Sequence, residues 1–124
     1  MTGSGYGFDR ECRMLRKADF QRVFREGRRG SVHGLRVIVA PSPTGRSRLG
    51  MAVSRRFGIA VARNRARRLL REAFRHEHAD WPAALDVVAL PQQGFPDRLA
   101  EVRPSLKQAV GRAARPRRPE NPSR

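Results

Sequence analysis

Arginine dominates the chemistry available to this chain. Of its 27 basic residues all but Lys17 and Lys107 are arginine, and 11 acids leave a formal charge of +16 over 124 residues. The densest run is Ser54–Arg75, SRRFGIAVARNRARRLLREAFR. On a helix turning about 100° per residue, Arg63, Asn64, Arg67, Arg68, Arg71 and Arg75 fill one arc of about 140°, with Arg65 just beyond it. Ala62, Ala66, Leu69, Leu70, Ala73 and Phe74 fill a separate arc, so one face seals a core and the other presents guanidinium groups. Arginines four apart on a helix repel by a few tenths of a kcal/mol per pair. Such a row is best satisfied by laying it on phosphates, which guanidinium grips bidentately. Asn64, between Arg63 and Arg65, can bond a sugar hydroxyl, a phosphate or a base edge.

Other chemistries find little support. A protein nuclease working through Mg²⁺ needs convergent carboxylates, and the acids here are scattered, Asp9 and Glu11 being the closest early pair. His76 and His78 sit two apart at a helix end and diverge. Cys12 is alone, which excludes a disulfide framework and a thiolate cage. No phosphate-binding loop or dinucleotide fingerprint is present. The sequence therefore predicts no catalytic residues and no metal site in the protein itself. No apolar run approaches the roughly 18 residues of a membrane span. Met1–Cys12 lacks the apolar middle of a secretory signal. A small, soluble, cytoplasmic nucleic-acid-binding domain is expected.

The chain has the length of one domain. Residues 1–13, glycine-rich at the start, are expected to be a mobile segment. Residues 112–124 combine prolines and arginines with no large apolar residue and are expected to be a disordered basic tail. Between them, residues 14–111 form the predicted domain. Leu15, Phe20, Val23 and Phe24 recur at helical spacing, with Gly27 as a stop. Leu35–Ala40 and Arg48–Ser54 read as strands joined over Pro41, Pro43 and Gly45, and the simple arrangement is a hairpin. A long helix over Ala60–His78, a short buried strand over Asp86–Leu90 and a weaker helix over Asp97–Ala113 follow. Phe57, Phe74 and Trp81 are assigned to the core. The order helix-strand-strand-helix-strand-helix predicts an α/β (α+β) two-layer sandwich on a small mixed sheet.

The run Val53–Arg75, with Arg63-Asn64-Arg65 opening the basic helix, resembles the signature of the bacterial ribonuclease P protein subunit. The early Leu-Arg-Lys…Phe…Val-Phe stretch, Leu15–Phe24, and the Asp-Val-Val strand, Asp86–Val88, are similar to that family in order and spacing. The resemblance implies a left-handed βαβ crossover around the basic helix. It implies a cofactor protein whose RNA partner, the catalytic RNA of ribonuclease P, binds Mg²⁺ and removes the 5′ leader of precursor tRNA, in a 1:1 complex. By position, Arg55, Arg56, Arg63, Asn64, Arg65, Arg67, Arg68 and Arg71 become RNA-binding residues, and Phe20 and Phe24 line a cleft for the leader. Phe20 and Phe24 are four apart and share a helix face, as a single-strand groove of aromatics and cations would require. The chain departs from the family at Ile59, often polar there, at the first strand, which lacks an aromatic, and at Leu90–Pro91.

A ribosomal or other structural RNA-binding protein is the rival reading, and a DNA-binding protein a third. Neither needs the early aromatic helix, and no helix-turn-helix spacing is visible.

Overall fold

The computed structural model describes residues 12–14 and 16–114. Three helices and four strands follow one another along the chain: α1 (Lys17–Glu26), β1 (Arg28–Val32), β2 (Leu35–Pro41), β3 (Arg48–Met51), α2 (Ala60–Glu77), β4 (Leu85–Pro91) and α3 (Leu99–Ala114). Leu15, expected to open the first helix, lies outside the described residues, as do residues 1–11 and 115–124 of the two expected end segments. Cys12, the first described residue, is buried in the core. Arg13 bridges to Leu49 on the outer edge of β3, and at the other end α3 carries Ala113 into the core.

The sheet runs in the order β1-β2-β4-β3. β2 is antiparallel to both β1 and β4, whereas β3 is parallel to β4. The predicted hairpin between Leu35–Ala40 and Arg48–Ser54 is therefore corrected, because β4 lies between those two strands. Its sequence explains the choice: LDVVALP is buried along almost its whole length, and a strand apolar on both faces belongs at the centre of a sheet. The sequence order also lacked a strand. Arg28–Val32 (RRGSV) shows no apolar alternation because it is an edge strand, and its middle residue is buried without a side chain. A Cβ on Gly30 would stand 2.2 Å from the Ala109 carbonyl oxygen, so the absent side chain is what lets α3 lie against β1.

The core is divided by the sheet. Leu35, Val37, Val39, Val87 and Ala89 face Leu70, Phe74, Val102 and Leu106 of α2 and α3. Ile38, Ala40 and Val88 face Val23 of α1 on the other side. Both faces are thus covered, the α1 side only in part. The expected apolar arc of α2 holds, with Ala66, Leu70, Ala73 and Phe74 buried and Ala62 and Leu69 half-buried at its margin. Of the three aromatics assigned to the core only Phe74 is fully buried. Trp81 stands edge-on to Phe74 and Phe57 edge-on to Phe95, both half-buried.

The hand of the β3-α2-β4 unit follows from residue chirality. Ala89 turns its side chain toward α2 and α3, and its carbonyl accepts from Ala52 N–H at 3.0 Å, on the β3 side. For an L-residue in a rising strand seen from its side-chain face, the carbonyl projects to the viewer's right. β3 therefore lies right of β4, and the passage through α2 in front moves leftward. The crossover is left-handed, against the usual right-handed rule.

Replacing Gly30 with Ala is expected to destabilise the fold by about 1–3 kcal/mol, the range for overpacking a tight contact, measured as a lowered urea midpoint with unchanged slope.

Candidate nucleic-acid interface

α1 is positioned by charge more than by apolar contact. Val23 is its one fully buried residue, a contribution of roughly 1.5–3 kcal/mol. At about 100° per residue, Asp19 and Arg22 project to one flank of Val23 and Phe20 and Phe24 to the other. On the first flank lies Asp86 of β4, with no exposure at all. Arg48 of β3 donates to both its carboxylate oxygens, from Nε at 2.8 Å and Nη2 at 2.6 Å. Arg22 donates to the same carboxylate from α1, and Asp19 completes the cluster by accepting from Arg48 at 3.2 Å. The Asp86 hydrogen bonds hold the Arg48 guanidinium even further above its ordinary pKa, against the opposing effect of burial. Sequence patterning alone did not reveal this cluster. The signal was an aspartate inside an apolar strand, which requires a cationic partner once buried.

The second flank carries the aromatic pair. Phe20 is half-buried against the cluster of Met14, Val23, Ile38, Ala40 and Val88, and its ring covers Gly50, where a Cβ would come within 2.7 Å of Phe20 Cζ. Phe24 is 38% exposed. Phe20, Gly50 and Met51 then line a cavity of about 330 Å³ together with Arg13, Arg67 and Arg71. The aromatic flank of α1 and the arginine face of α2 thus meet at the outer edge of β3. Arg13 was outside the expected domain and joins this site through its bridge to β3.

The expected RNA-binding residues fall into distinct groups. Arg55, Arg56, Asn64, Arg65 and Arg68 are exposed, while Arg63, Arg67, Arg71 and Arg75 are half-buried. Arg63 turns inward and donates to the Gly58 carbonyl at 2.7 Å. Arg65 is held by Asp97, whose carboxylate and carbonyl accept from it at 2.5 and 2.7 Å. Arg67 donates to Asn64 Oδ1 at 3.1 Å, and Arg75 to Glu72 at 2.5 Å. The guanidinium groups of Arg55, Arg56, Arg68 and Arg71 have no hydrogen-bond or ion-pair partner among the described residues. Helical spacing alone makes these arginines equivalent; what separates them is the position of single acids and carbonyls.

The converging carboxylates do not suit Mg²⁺. Asp19 and Asp86 are both committed to guanidinium groups, and among the described residues no three His, Cys, Asp or Glu side chains converge on a common point. His78 stacks on Phe74 at the end of α2, with ring centroids 4.8 Å apart. No helix of the described residues is long and apolar enough to cross a membrane. The arrangement offers phosphate contacts along α2, a cation-lined cavity at its edge and an aromatic surface beside it, which together suit a flexible polyanion.

The chain is similar to known proteins in sequence and in structure. The Ribonuclease P family matches residues 8–114. The ribonuclease P protein component of Desulfovibrio desulfuricans is 39% identical over 90 residues, covering 71% of this chain and 69% of that protein. The component from Pelotomaculum thermopropionicum is 35% identical over 101 residues, covering 81% and 90%. In structure, the RNase P protein of Staphylococcus aureus superposes with a TM-score of 0.72 at 28% identity, covering 83% of this chain and 95% of its own. That of Thermotoga maritima gives 0.69 at 30% identity, covering 77% and 91%.

Replacing Asp86 with Ala is expected to cost about 3–5 kcal/mol of stability, the range for removing one member of a buried ion pair. Thermal melting monitored by circular dichroism checks this; a change below about 1 kcal/mol would show that Arg22 and Arg48 are held without it.

Proposed function

This chain belongs to the ribonuclease P protein family, and from that premise we propose that it is the protein component of a ribonucleoprotein endoribonuclease that matures the 5′ end of tRNA. In this reading the exposed arginines of α2 and the preceding turn lie on the catalytic RNA, one protein to one RNA. The aromatic flank of α1 holds the single-stranded 5′ leader of precursor tRNA. The reacting groups and the Mg²⁺ belong to the RNA, in the cytoplasm, and the protein alone cuts nothing. Its contribution is counter-charge: +16 lowers the repulsion between two polyanions and makes Mg²⁺ more effective at the RNA active site.

The observation that carries this reading is the cavity where Arg67 and Arg71 of α2 meet Phe20 of α1. A surface made only to bind structural RNA needs the arginine row and no aromatic groove beside it. Arginine and Phe20 together suit a strand whose bases are unpaired, because phosphates take the cations while bases take the ring faces.

The direct test is cleavage of a 5′-extended precursor tRNA by a bacterial ribonuclease P RNA at low Mg²⁺, with and without this protein. Restored cleavage at the mature 5′ end supports the reading. Binding without restored cleavage would favour a structural RNA-binding protein, and cleavage by protein alone would overturn the placement of the active site.

Three variants resolve the surfaces. Replacing Arg55 and Arg68 with Ala should flatten the salt dependence of catalytic-RNA binding by about one slope unit for each phosphate no longer neutralised. Arg75→Ala, already paired with Glu72, should leave that slope unchanged. Phe20→Ala should weaken binding of precursor tRNA about tenfold while sparing mature tRNA, consistent with roughly 1–3 kcal/mol for a stacked base; equal weakening of both would make Phe20 a packing residue only.

A further inference from the structure

The turn leading into α2 holds two apolar side chains out of the protein. Ile59 and Val61 are each 73% exposed. Their surroundings are cationic: Arg55 and Arg56 lie just before them and are exposed, and the first turn of α2 contains no acid. On the helix Val61 shares its stripe with Asn64, Arg65 and Arg68, so it heads the outward-facing row.

This turn is anchored from within. Phe57 packs edge-on against Phe95 of the segment after β4, with centroids 6.1 Å apart. Arg63 donates through its side chain to the Gly58 carbonyl at 2.7 Å and through its backbone to the Ile59 carbonyl at 2.9 Å. Ile59 and Val61 are therefore presented on a fixed support, and little ordering entropy is lost when a partner covers them.

We propose that Ile59 and Val61 form an apolar tip that packs against unpaired bases of the RNA partner, so that the interface favours a junction or loop over a continuous duplex. The inference rests on the RNA-binding reading above. The ring of arginine selects a polyanion, and within a polyanionic RNA the available apolar surfaces are base faces. Continuous pairing stacks those faces away and presents phosphate and ribose instead, leaving the tip nothing to bury against.

The test uses the full chain carrying Ile59→Asn and Val61→Ser. Both positions are exposed at a helix start, where Asn and Ser are well tolerated, and an unchanged melting temperature verifies the fold. Binding is measured across a salt series to a bacterial ribonuclease P RNA and to a fully paired RNA stem. The expected result is roughly tenfold weaker binding to the first RNA, as partial exposure of two otherwise buried aliphatic side chains implies, with an unchanged salt slope because no cation is removed. Binding to the paired stem should not change.

Unchanged affinity for the ribonuclease P RNA would overturn the tip and leave the arginine interface standing. Equal weakening on both RNAs would overturn its preference for unpaired bases. Sedimentation showing a wild-type dimer that the variant dissolves would make the tip a contact between copies of this chain and overturn the proposal. Failure of the unaltered protein to bind the ribonuclease P RNA would instead remove the RNA-binding reading on which the tip depends.

Discussion

The buried carboxylate of Asp86 is the constraint on which the functional architecture rests. It sits directly opposite Arg48 in the parallel β3–β4 register and accepts both arms of that guanidinium, while Arg22 reaches it from α1. One acid thus ties an edge strand to the central strand and a lightly packed helix to the sheet. An isolated charge in such a place would be costly; two guanidinium partners make it tolerable and fix their geometry. A helix with a single buried valine would otherwise have several equivalent ways to lie on the sheet.

That clamp decides what the rest of α1 can do. With Asp19 and Arg22 committed on one flank, Phe20 and Phe24 are left on the other, above the part of the sheet that no helix covers. The bare backbone at Gly50 lets the Phe20 ring descend until it reaches the cavity shared with Arg67 and Arg71. The structural charges on one flank and the aromatic surface on the other are therefore consequences of one helix orientation. In the proposed complex, this brings contacts to substrate and to catalytic RNA within one small protein.

Much of this was legible in the residues. The amphipathic division of α2 appears directly in the spacing of Ala66, Leu70, Ala73 and Phe74 against the arginines, because a long helix has a strong period. The strand at Leu35 and the strand at Asp86 were visible as β-branched runs. β1 was not, since an edge strand with Gly30 at its one buried position carries no apolar alternation. Strand order was equally hidden: local turn chemistry at Pro41–Gly45 favours a hairpin, while the apolar character of β4 places it between the two strands that turn connects. At the site, spacing brought the arginines to one face but could not distinguish Arg68 from Arg65 or Arg75. That distinction depends on Asp97, far along the chain, and on the rotamer that brings Glu72 to Arg75.

The central position of β4 also bears on how the protein comes into being. β1 and β2 pair with each other, but β3 is joined to β2 only through residues 85–91, so a nascent chain halted before that point lacks the central strand of the sheet on which α2 packs. Contacts of such long sequence separation slow folding. Completion of β4 is thus the step at which a cationic polymer becomes a protein with its arginines ordered on one face.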